Sequence, residues 1–226
     1  MLKIYFHEFK KDVSVGVHQI TYRKFEHKLL DQLILPPTYK EKIQNVLARV
    51  VNKKNQTAIY NSLGLEQFCQ KGRGAIILLY GLPGSGKTMT AEAFSEHLEL
   101  PLIRVEANES YNMEKVKSNL AEAFRRARKY NGIVLIDEVD VFIRKRGLHP
   151  IMDEMTSIFL RTLEYYDGII FMTTNLVGNI DPAVFSRIHV CAGIEDFGVD
   201  QRLAIWKGMM TAELLKAVTG NEMQIE

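Results

Sequence analysis

The chain has 226 residues, 46% of them hydrophobic and 25% charged, and a formal net charge of +2 at neutral pH. These values are typical of an ordinary globular protein with one large domain, or one domain and an appendage, and the small charge favours no particular class of partner. No apolar stretch approaches the roughly 18 residues that span a bilayer, so we expect no membrane association. Cys69 and Cys191 lack metal-binding spacing, and we expect two free thiols in a reducing compartment, hence a cytoplasmic protein.

The first part of the chain differs in texture from the rest. Two short apolar segments, 4–9 and 13–17, flank a polar turn, and this pattern favours a β-hairpin. Farther along, Thr38 is placed to cap a helix at 38–52 whose apolar residues share one face. A second, short helix is expected at 63–68, before the first buried strand.

From residue 75 onward, apolar runs of strand length alternate with helical patterns. The predicted strands are 75–80, 101–105, 132–137, 168–173 and 188–192. The predicted helices are 87–98, 113–130, 150–166, 181–186 and 200–218. All strands but the second are near-continuous apolar runs, which indicates parallel strands covered on both faces, whereas the more alternating second strand suits a sheet edge. The sequence therefore predicts a doubly wound α/β fold.

The first of these strands leads into a glycine-rich phosphate-binding motif. Residues 81–88 read G-L-P-G-S-G-K-T, and a helical pattern follows them at once. Glycines let the backbone N–H groups close around phosphates, and the helix N-terminus adds partial positive charge. Lys87 is expected to reach the β- and γ-phosphates, and the Thr88 hydroxyl to bind Mg²⁺. The predicted nucleotide-binding residues are Gly81, Pro83, Gly84, Ser85, Gly86, Lys87, Thr88 and Met89.

Two adjacent carboxylates, Asp137 and Glu138, end the third strand of this series. In an open α/β sheet they lie at the same edge as the phosphate loop. A buried acid needs a compensating cation or water, so Asp137 is predicted to bind Mg²⁺ together with Thr88. Glu138 is predicted to orient or deprotonate the water that attacks the γ-phosphate. A kinase of small metabolites would also need a lid of arginines, and the sequence shows no such arginine cluster.

The fourth strand also ends in polar residues, Thr173, Thr174 and Asn175. An amide at this point can donate to the γ-phosphate and accept from the attacking water. An asparagine after a strand is by itself more often a turn former. Because Asn175 follows the glycine loop and the acid pair in this order, we predict that it takes part in catalysis.

Together these motifs resemble those of the AAA+ ATPases, and more narrowly of the AAA family, over about residues 40–210. Residues 81–88 are similar to the family's Walker A motif, 133–138 to Walker B, and Asn175 to sensor 1. The segment D-P-A-V-F-S-R at 181–187 is similar to the family's D-P-A-h-x-R segment. The resemblance implies a P-loop three-layer αβα sandwich with five parallel strands in the order 5-1-4-3-2. It further implies ATP hydrolysis with Mg²⁺ as cofactor, and homo-oligomeric rings, commonly hexamers.

In such rings an arginine of one subunit reaches the γ-phosphate bound by its neighbour. Arg187 is the position that the resemblance favours for this finger, and an ion pair with an acid on its own helix is the alternative. The family usually has two arginines in this segment. Arg144, Arg146 and Arg161 therefore remain further candidates. The resemblance thus implies four catalytic residues: Lys87, Glu138, Asn175 and Arg187.

Two regions depart from the family's pattern. Where the family places a pore loop that grips a polypeptide, residues 108–113 offer Tyr111 but no glycine. After Ile194 there are fewer residues than the family's helical lid normally needs, so a sensor 2 arginine is not placed. We expect a short or incomplete lid, and threading through a pore remains open.

Three regions are therefore expected along the chain: an N-terminal β-rich extension at 1–35, an AAA+ nucleotide-binding core at 36–195, and the start of a helical lid at 196–226. The predicted function is Mg-dependent ATP hydrolysis coupled to remodelling of a protein partner. One alternative is an ATP-binding assembly or scaffold module with little turnover. The other is a nucleic-acid-handling relative, which is disfavoured because the basic residues form no concentrated patch with interleaved aromatics.

Overall fold

The computed structural model describes residues 3–6, 20–22, 29–52, 73–106, 113–147, 150–176, 178 and 180–209. The strands are β1 (Lys3–Phe6), β2 (Ile20–Tyr22), β3 (Ala75–Gly81), β4 (Leu102–Glu106), β5 (Ile133–Asp137), β6 (Ile169–Thr174) and β7 (Val190–Ile194). The helices are α1 (Leu29–Gln32), α2 (Pro37–Val51), α3 (Lys87–His97), α4 (Met113–Tyr130), α5 (Asp140–Ile143), α6 (Pro150–Tyr165), α7 (Pro182–Phe185) and α8 (Val199–Met209). Contacts divide the chain into two units, Met1–Ile194 and Glu195–Glu226, and α8 belongs to the second. Within the described ranges, no helix is long and apolar enough to cross a membrane.

Five strands of the first unit form the parallel sheet that the sequence predicts. β3 lies between β6 and β7, β5 lies between β6 and β4, and all four pairings are parallel. The order β7-β3-β6-β5-β4 is the predicted order 5-1-4-3-2, so the predicted fold class is confirmed. This order places the ends of β3, β5 and β6 side by side at one edge of the sheet.

The N-terminal strands extend this sheet in a way that the sequence did not indicate. β1 pairs antiparallel with β4 on one edge and parallel with β2 on the other. Since both edges of β1 are occupied, a hairpin partner cannot pair with Lys3–Phe6, and the predicted hairpin is wrong at these residues; segment 13–17 lies outside the described residues. β4 is likewise not a free edge, because β1 satisfies its outward backbone groups.

Each face of the sheet carries its own apolar core. Successive side chains of a strand point to opposite faces, so Ile76 and Leu78 belong to one core and Ile77 and Leu79 to the other. The first core is covered by α4, α6 and α7, and the second by α2 and α3. The helix that follows the glycine loop therefore packs on the second face.

The observed helices lie close to the predicted ones, apart from a different cap on α2 and two short helices that were not predicted, α1 and α5. α2 begins at Pro37 after an N-cap at Pro36, with no side-chain cap, so the prediction that Thr38 caps this helix is wrong. Proline is favoured at the first helical position, because its missing N–H has no partner there anyway. The helix predicted at 63–68 lies outside the described residues.

His189 joins the start of β7 to the start of the neighbouring strand β3. Its backbone N–H donates to the Ile76 carbonyl oxygen at 2.9 Å, and the Ile76 N–H donates to the His189 Nδ1 at 3.2 Å. Partial burial, together with the nearby positive charge of Arg49, lowers the pKa of His189 below its ordinary 6.5. The folded protein therefore favours neutral His189, whose Nδ1 can accept this hydrogen bond.

We expect this imidazole to make stability depend on pH. The pKa of His189 is lower in the folded chain than in the unfolded chain, so the unfolded state binds a proton first as the pH falls. The contribution of neutral His189 to folding stability is therefore complete above pH 6.5 and is lost as the pH falls through the folded-state pKa. Urea unfolding of the native chain and of His189→Gln at several pH values between about 8 and 5 measures this effect. The variant should lose less stability on acidification, and equal losses in both proteins would contradict the assignment.

Candidate nucleotide-binding site

The loop between β3 and α3 has the backbone conformation that a phosphate cradle needs. A side chain at Gly81 would collide with the carbonyl oxygen of Ile194 on β7, which restricts this position to glycine. Gly86, the N-cap of α3, has a φ of 88°, a left-handed conformation that glycine adopts without a steric cost. The first amides of α3 have no carbonyl partner one turn earlier, so this end of the helix is suited to an anion.

The Lys87 ammonium group is folded back over this loop. Its Nζ donates to the carbonyl oxygens of Gly81 at 3.0 Å and Leu82 at 2.7 Å, and the residue is buried. Burial lowers the pKa of Lys87, while the carboxylates of Asp137, Asp140 and Glu138 oppose that change. The cation is therefore held inside the loop, near three acids.

Ser85 supplies a further sign that the loop is built for a polar ligand. Its side-chain oxygen is buried and has no hydrogen-bond partner among the described residues. Leaving a buried hydroxyl unpaired costs about 1–3 kcal/mol, so a ligand atom that pairs with it would recover that free energy. Three other predicted binding residues, Pro83 and Gly84 of the loop and Met89 of α3, are exposed.

Asp137 joins the loop helix to the centre of the sheet. The Thr88 hydroxyl donates to its two carboxylate oxygens at 3.1 and 3.3 Å, and the Thr173 hydroxyl of β6 donates to Oδ1. The structure thus brings together the two residues that were predicted to bind metal. Among the described residues no group of three or more acids, cysteines and histidines forms a metal cluster. Carboxylate and hydroxyl oxygens fit Mg²⁺, which is commonly held by one or two protein ligands together with substrate phosphates.

Glu138 follows β5 in a conformation that non-glycine residues rarely adopt. Its φ is 54°, its N–H donates to the Thr173 hydroxyl at 3.0 Å, and its side chain is exposed. Left-handed backbone outside glycine stores strain of about 1 kcal/mol or more and is frequent at functional sites. The turn aims the carboxylate away from the core, at the edge where the loop lies.

Asn175 is exposed and directly follows β6. The residue before it, Thr174, donates its hydroxyl proton to Asp140 on α5 and accepts from the Leu176 N–H at 2.9 Å. These contacts fix the end of β6 at the same edge of the sheet as Asp137. Asn175 therefore follows a strand that ends at the same edge of the sheet as the acid pair.

Arg187 has contacts of a different kind. Its guanidinium donates to the Ala183 carbonyl oxygen at 2.7 Å and to the Glu164 carboxylate of α6 at 3.2 Å. The acid partner of Arg187 thus lies on α6, whereas the alternative prediction placed that acid on the same helix as Arg187. The Arg187 Nε is buried and has no hydrogen-bond partner within the described part of the chain.

The other arginine candidates are placed as follows. The Arg146 Nε donates to Asp181, the N-cap of α7, at 2.9 Å. Burial would raise the pKa of Asp181, but its hydrogen bonds to Arg146 and to the Ala183 N–H outweigh burial and lower that pKa. Arg146 therefore has a structural partner, although it is exposed, as Arg144 and Arg161 are.

Sequence reasoning missed Arg104, and it did not predict Thr173 or Asp140 as residues of the site either. Arg104 on β4 donates to Asp137 Oδ2 at 2.5 Å. The sequence did contain a sign of it, a charged residue inside an otherwise apolar strand. We interpreted this charge as part of the polar and apolar alternation of an edge strand. Tyr111 and Cys69 lie outside the described residues, and Cys191 is a free thiol whose pKa is raised by burial.

The fold and this edge of the sheet define a P-loop nucleotide-binding α/β protein. A family model for the ATPase family associated with various cellular activities (AAA) matches residues 77–195. This match spans more than half of the 226 residues, and the chain belongs to the AAA family.

Known proteins resemble the chain in parts of their length. The 26S proteasome regulatory subunit 6B homolog of Encephalitozoon cuniculi is 32% identical over 141 residues, which cover 57% of this chain and 35% of that protein. An AAA ATPase forming ring-shaped complexes from Bifidobacterium animalis is 32% identical over 140 residues, or 50% of this chain and 27% of the relative. The chain thus spans about a third of the length of these relatives, or less.

A solved structure shares the fold. It is a chain of the HORMA:CdnC:Trip13 complex of E. coli MS115-1, with a TM-score of 0.58 and 18% identity. The match covers 84% of this chain and 73% of that one. At this identity the likeness supports the fold alone.

Proposed function

We propose that this chain is a Mg-dependent ATPase that works in an oligomeric ring, most simply a hexamer, and remodels a protein partner. The observation that carries the proposal is the contact between Thr88 and Asp137, 3.1 Å apart, beside the buried Lys87 and the exposed Glu138. Membership of the AAA family supports the activity. The name of the ring-forming relative supports the assembly, and the proteasome relative supports a protein as the partner.

Binding would use the loop and the start of α3. The free amides at this helix end and the Lys87 ammonium would contact phosphate oxygens, and ATP would replace the two carbonyl oxygens that now accept from Lys87. Thr88 and Asp137 would hold Mg²⁺, which offsets the negative charge of the β- and γ-phosphates when it is bound. Asp137 is already oriented for this role by the Thr88 and Thr173 hydroxyls.

Hydrolysis would depend on Glu138 and Asn175. The Glu138 carboxylate would accept a proton from the attacking water, because it is the exposed acid next to the phosphate loop. The Asn175 amide would position that water, and the rigid end of β6 holds its backbone in place. Both residues act at the γ-phosphate, so their loss should affect turnover more than binding.

Arg187 would complete the site of a neighbouring copy. To do so it would exchange its contact with Glu164 for a phosphate. A partly exposed ion pair contributes about 0–1 kcal/mol, whereas a guanidinium–phosphate contact is among the stronger charge-assisted hydrogen bonds. The exchange is therefore favourable whenever a nucleotide-loaded neighbour is present.

The division of the chain remains part of the proposal. We infer an N-terminal β-rich extension at 1–35, a core at 36–195 and the start of a helical lid at 196–226, in a protein of the cytoplasm. A nucleic-acid partner is not favoured, since the chain has a net charge of only +2.

Phosphate release, measured against protein concentration, tests the proposal when molar mass is followed by light scattering in the presence of ATP. Turnover per chain should rise as the protein assembles, because each site is completed by a second copy. Lys87→Ala is the control that removes phosphate binding. Tight ATP binding with no turnover at any concentration would contradict the proposal and favour the scaffold alternative.

A further inference from the structure

Arg104 is joined to the acid that the proposed function assigns to the metal. Its Nη2 lies 2.5 Å from Asp137 Oδ2, and the side chains of Arg104 and Asp137 are 25% and 10% exposed. The family assignment does not use this residue, which lies on β4 and not on the glycine loop or β5. The contact is nevertheless the shortest charged one that Asp137 makes with the described residues.

The register of the sheet explains how the two side chains meet. Arg104 lies opposite Leu135 in the parallel pairing of β4 with β5, so Asp137 is two residues farther along on the same face. That face carries Leu102 and Leu135 and is the one on which α3 packs. The guanidinium therefore lies on the same side of the sheet as Thr88, which is in the first turn of α3.

The charge of Arg104 affects both the buried Asp137 carboxylate and any cation that binds to it. Asp137 is buried, and burying a lone carboxylate costs several kcal/mol unless a cation or donors compensate it. An arginine side chain stays protonated in proteins, so Arg104 compensates Asp137 at all times, with or without a metal ion. The same positive charge also repels any cation that binds to the Asp137 carboxylate.

We propose that Arg104 is a positioning residue of the nucleotide site, which helps the Thr88 and Thr173 hydroxyls to hold the Asp137 carboxylate in place before Mg²⁺ arrives and weakens Mg²⁺ binding through its fixed charge. This inference rests on the proposed function, because it concerns the Mg²⁺ that accompanies the nucleotide. It makes a side chain on β4, outside the loop and the acid pair, a determinant of the Mg²⁺ concentration at which the nucleotide binds.

Replacing Arg104 has two opposite effects on Mg²⁺ binding: Asp137 loses a group that orients it, and the bound ion loses a repelling charge. The larger effect decides whether Mg²⁺ binds more weakly or more tightly. The orientation of Asp137 should survive, because the Thr88 and Thr173 hydroxyls still donate to it. The electrostatic part is larger, since a unit charge within several ångströms of a divalent ion changes its binding constant roughly ten-fold even at the dielectric constant of water. Removing the charge should therefore strengthen Mg²⁺ binding.

A Mg²⁺ titration with a fluorescent ADP analogue tests this without turnover. The native chain, Arg104→Gln and Arg104→Lys are compared by the Mg²⁺ concentration at half-maximal binding of the analogue. We expect Arg104→Gln to lower this midpoint by about ten-fold and Arg104→Lys, which keeps the charge, to stay within about two-fold of the native value. Circular dichroism in EDTA shows whether each variant is folded.

The outcomes separate this inference from the proposed function. An unchanged or raised midpoint in a folded Arg104→Gln overturns the inference alone, provided that the native chain binds the analogue with Mg²⁺. If Arg104→Gln does not fold, the lysine variant decides, and a midpoint shifted by five-fold or more then contradicts the role of the charge. A native chain that binds no analogue at any Mg²⁺ concentration overturns the proposed function and this inference together.

Discussion

Replacing Glu138 with glutamine is expected to reduce ATP turnover by about 10²- to 10⁴-fold while ATP binding changes by less than about two-fold. The amide has the same size but cannot take a proton from water, so the variant loses general-base catalysis alone. Glu138 is exposed, and no hydrogen bond of its backbone is lost in the change. Single-turnover phosphate release and titration with a fluorescent ATP analogue measure the two quantities separately.

Glu99→Gln is a matched control for this variant. Glu99 has the same φ of 54° and is also exposed, but it follows the far end of α3, roughly 16 Å of helix away from the loop. It should keep native turnover. Equal losses in Glu99→Gln and Glu138→Gln would indicate a general effect of the substitution and would remove Glu138 from the mechanism.

Replacing Arg187 with alanine is expected to reduce turnover by about 10³-fold or more, the range found for arginine fingers in phosphoryl transfer. The loss should appear in kcat, while the binding of ATP to each chain remains, because under the proposed function Arg187 acts at the site of the neighbour. Steady-state phosphate release at a concentration at which the protein is assembled gives this value, and light scattering shows whether assembly persists.

Glu164→Gln distinguishes the finger from a structural ion pair. Glu164 is the acid that contacts Arg187 within the chain, at 3.2 Å. If the pair only stabilises the packing of α6 against α7, both variants lower the melting temperature and change turnover alike. If Arg187 acts on a neighbour, Glu164→Gln keeps turnover near the native level, and a loss as large as that of Arg187→Ala would refute the finger.

The sequence predicts the central sheet closely because each of its strands satisfies a local rule. β3, β5 and β6 are continuous apolar runs, and such runs are buried on both faces only in parallel sheets between helices. Their boundaries lie within about two residues of the predicted ones. The glycine loop was also predictable, since Gly81 and Gly86 occupy positions where a side chain or a right-handed backbone does not fit.

The contacts that depend on distant parts of the chain were not predictable in the same way. The pairing of β1 with β4 joins residues about a hundred positions apart, and apolar alternation alone does not specify a partner strand or its direction. The bond between Arg104 and Asp137 depends on the register of β4 against β5, which periodicity does not reveal. Sequence order indicated which acids end the strands, but not which cation compensates them.

The Arg187 contact shows a different limit. Its position after D-P-A-V-F-S suggested a residue that acts on another copy, while the chain by itself shows only the pair with Glu164. A site that two copies complete cannot be seen within one of them. The proposed contribution of a second copy must therefore be tested in solution.

Mixing the two inactive variants tests most directly whether ATP is hydrolysed at a site that two copies share. In a mixed ring, the pocket of an Arg187→Ala chain keeps Glu138 and can receive Arg187 from an adjacent Glu138→Gln chain. If chains of an equal mixture assemble at random, about a quarter of the sites are complete, so phosphate release should recover to about a quarter of the native rate. A mixture that stays as inactive as its components, although light scattering shows mixed assemblies, would contradict the shared site.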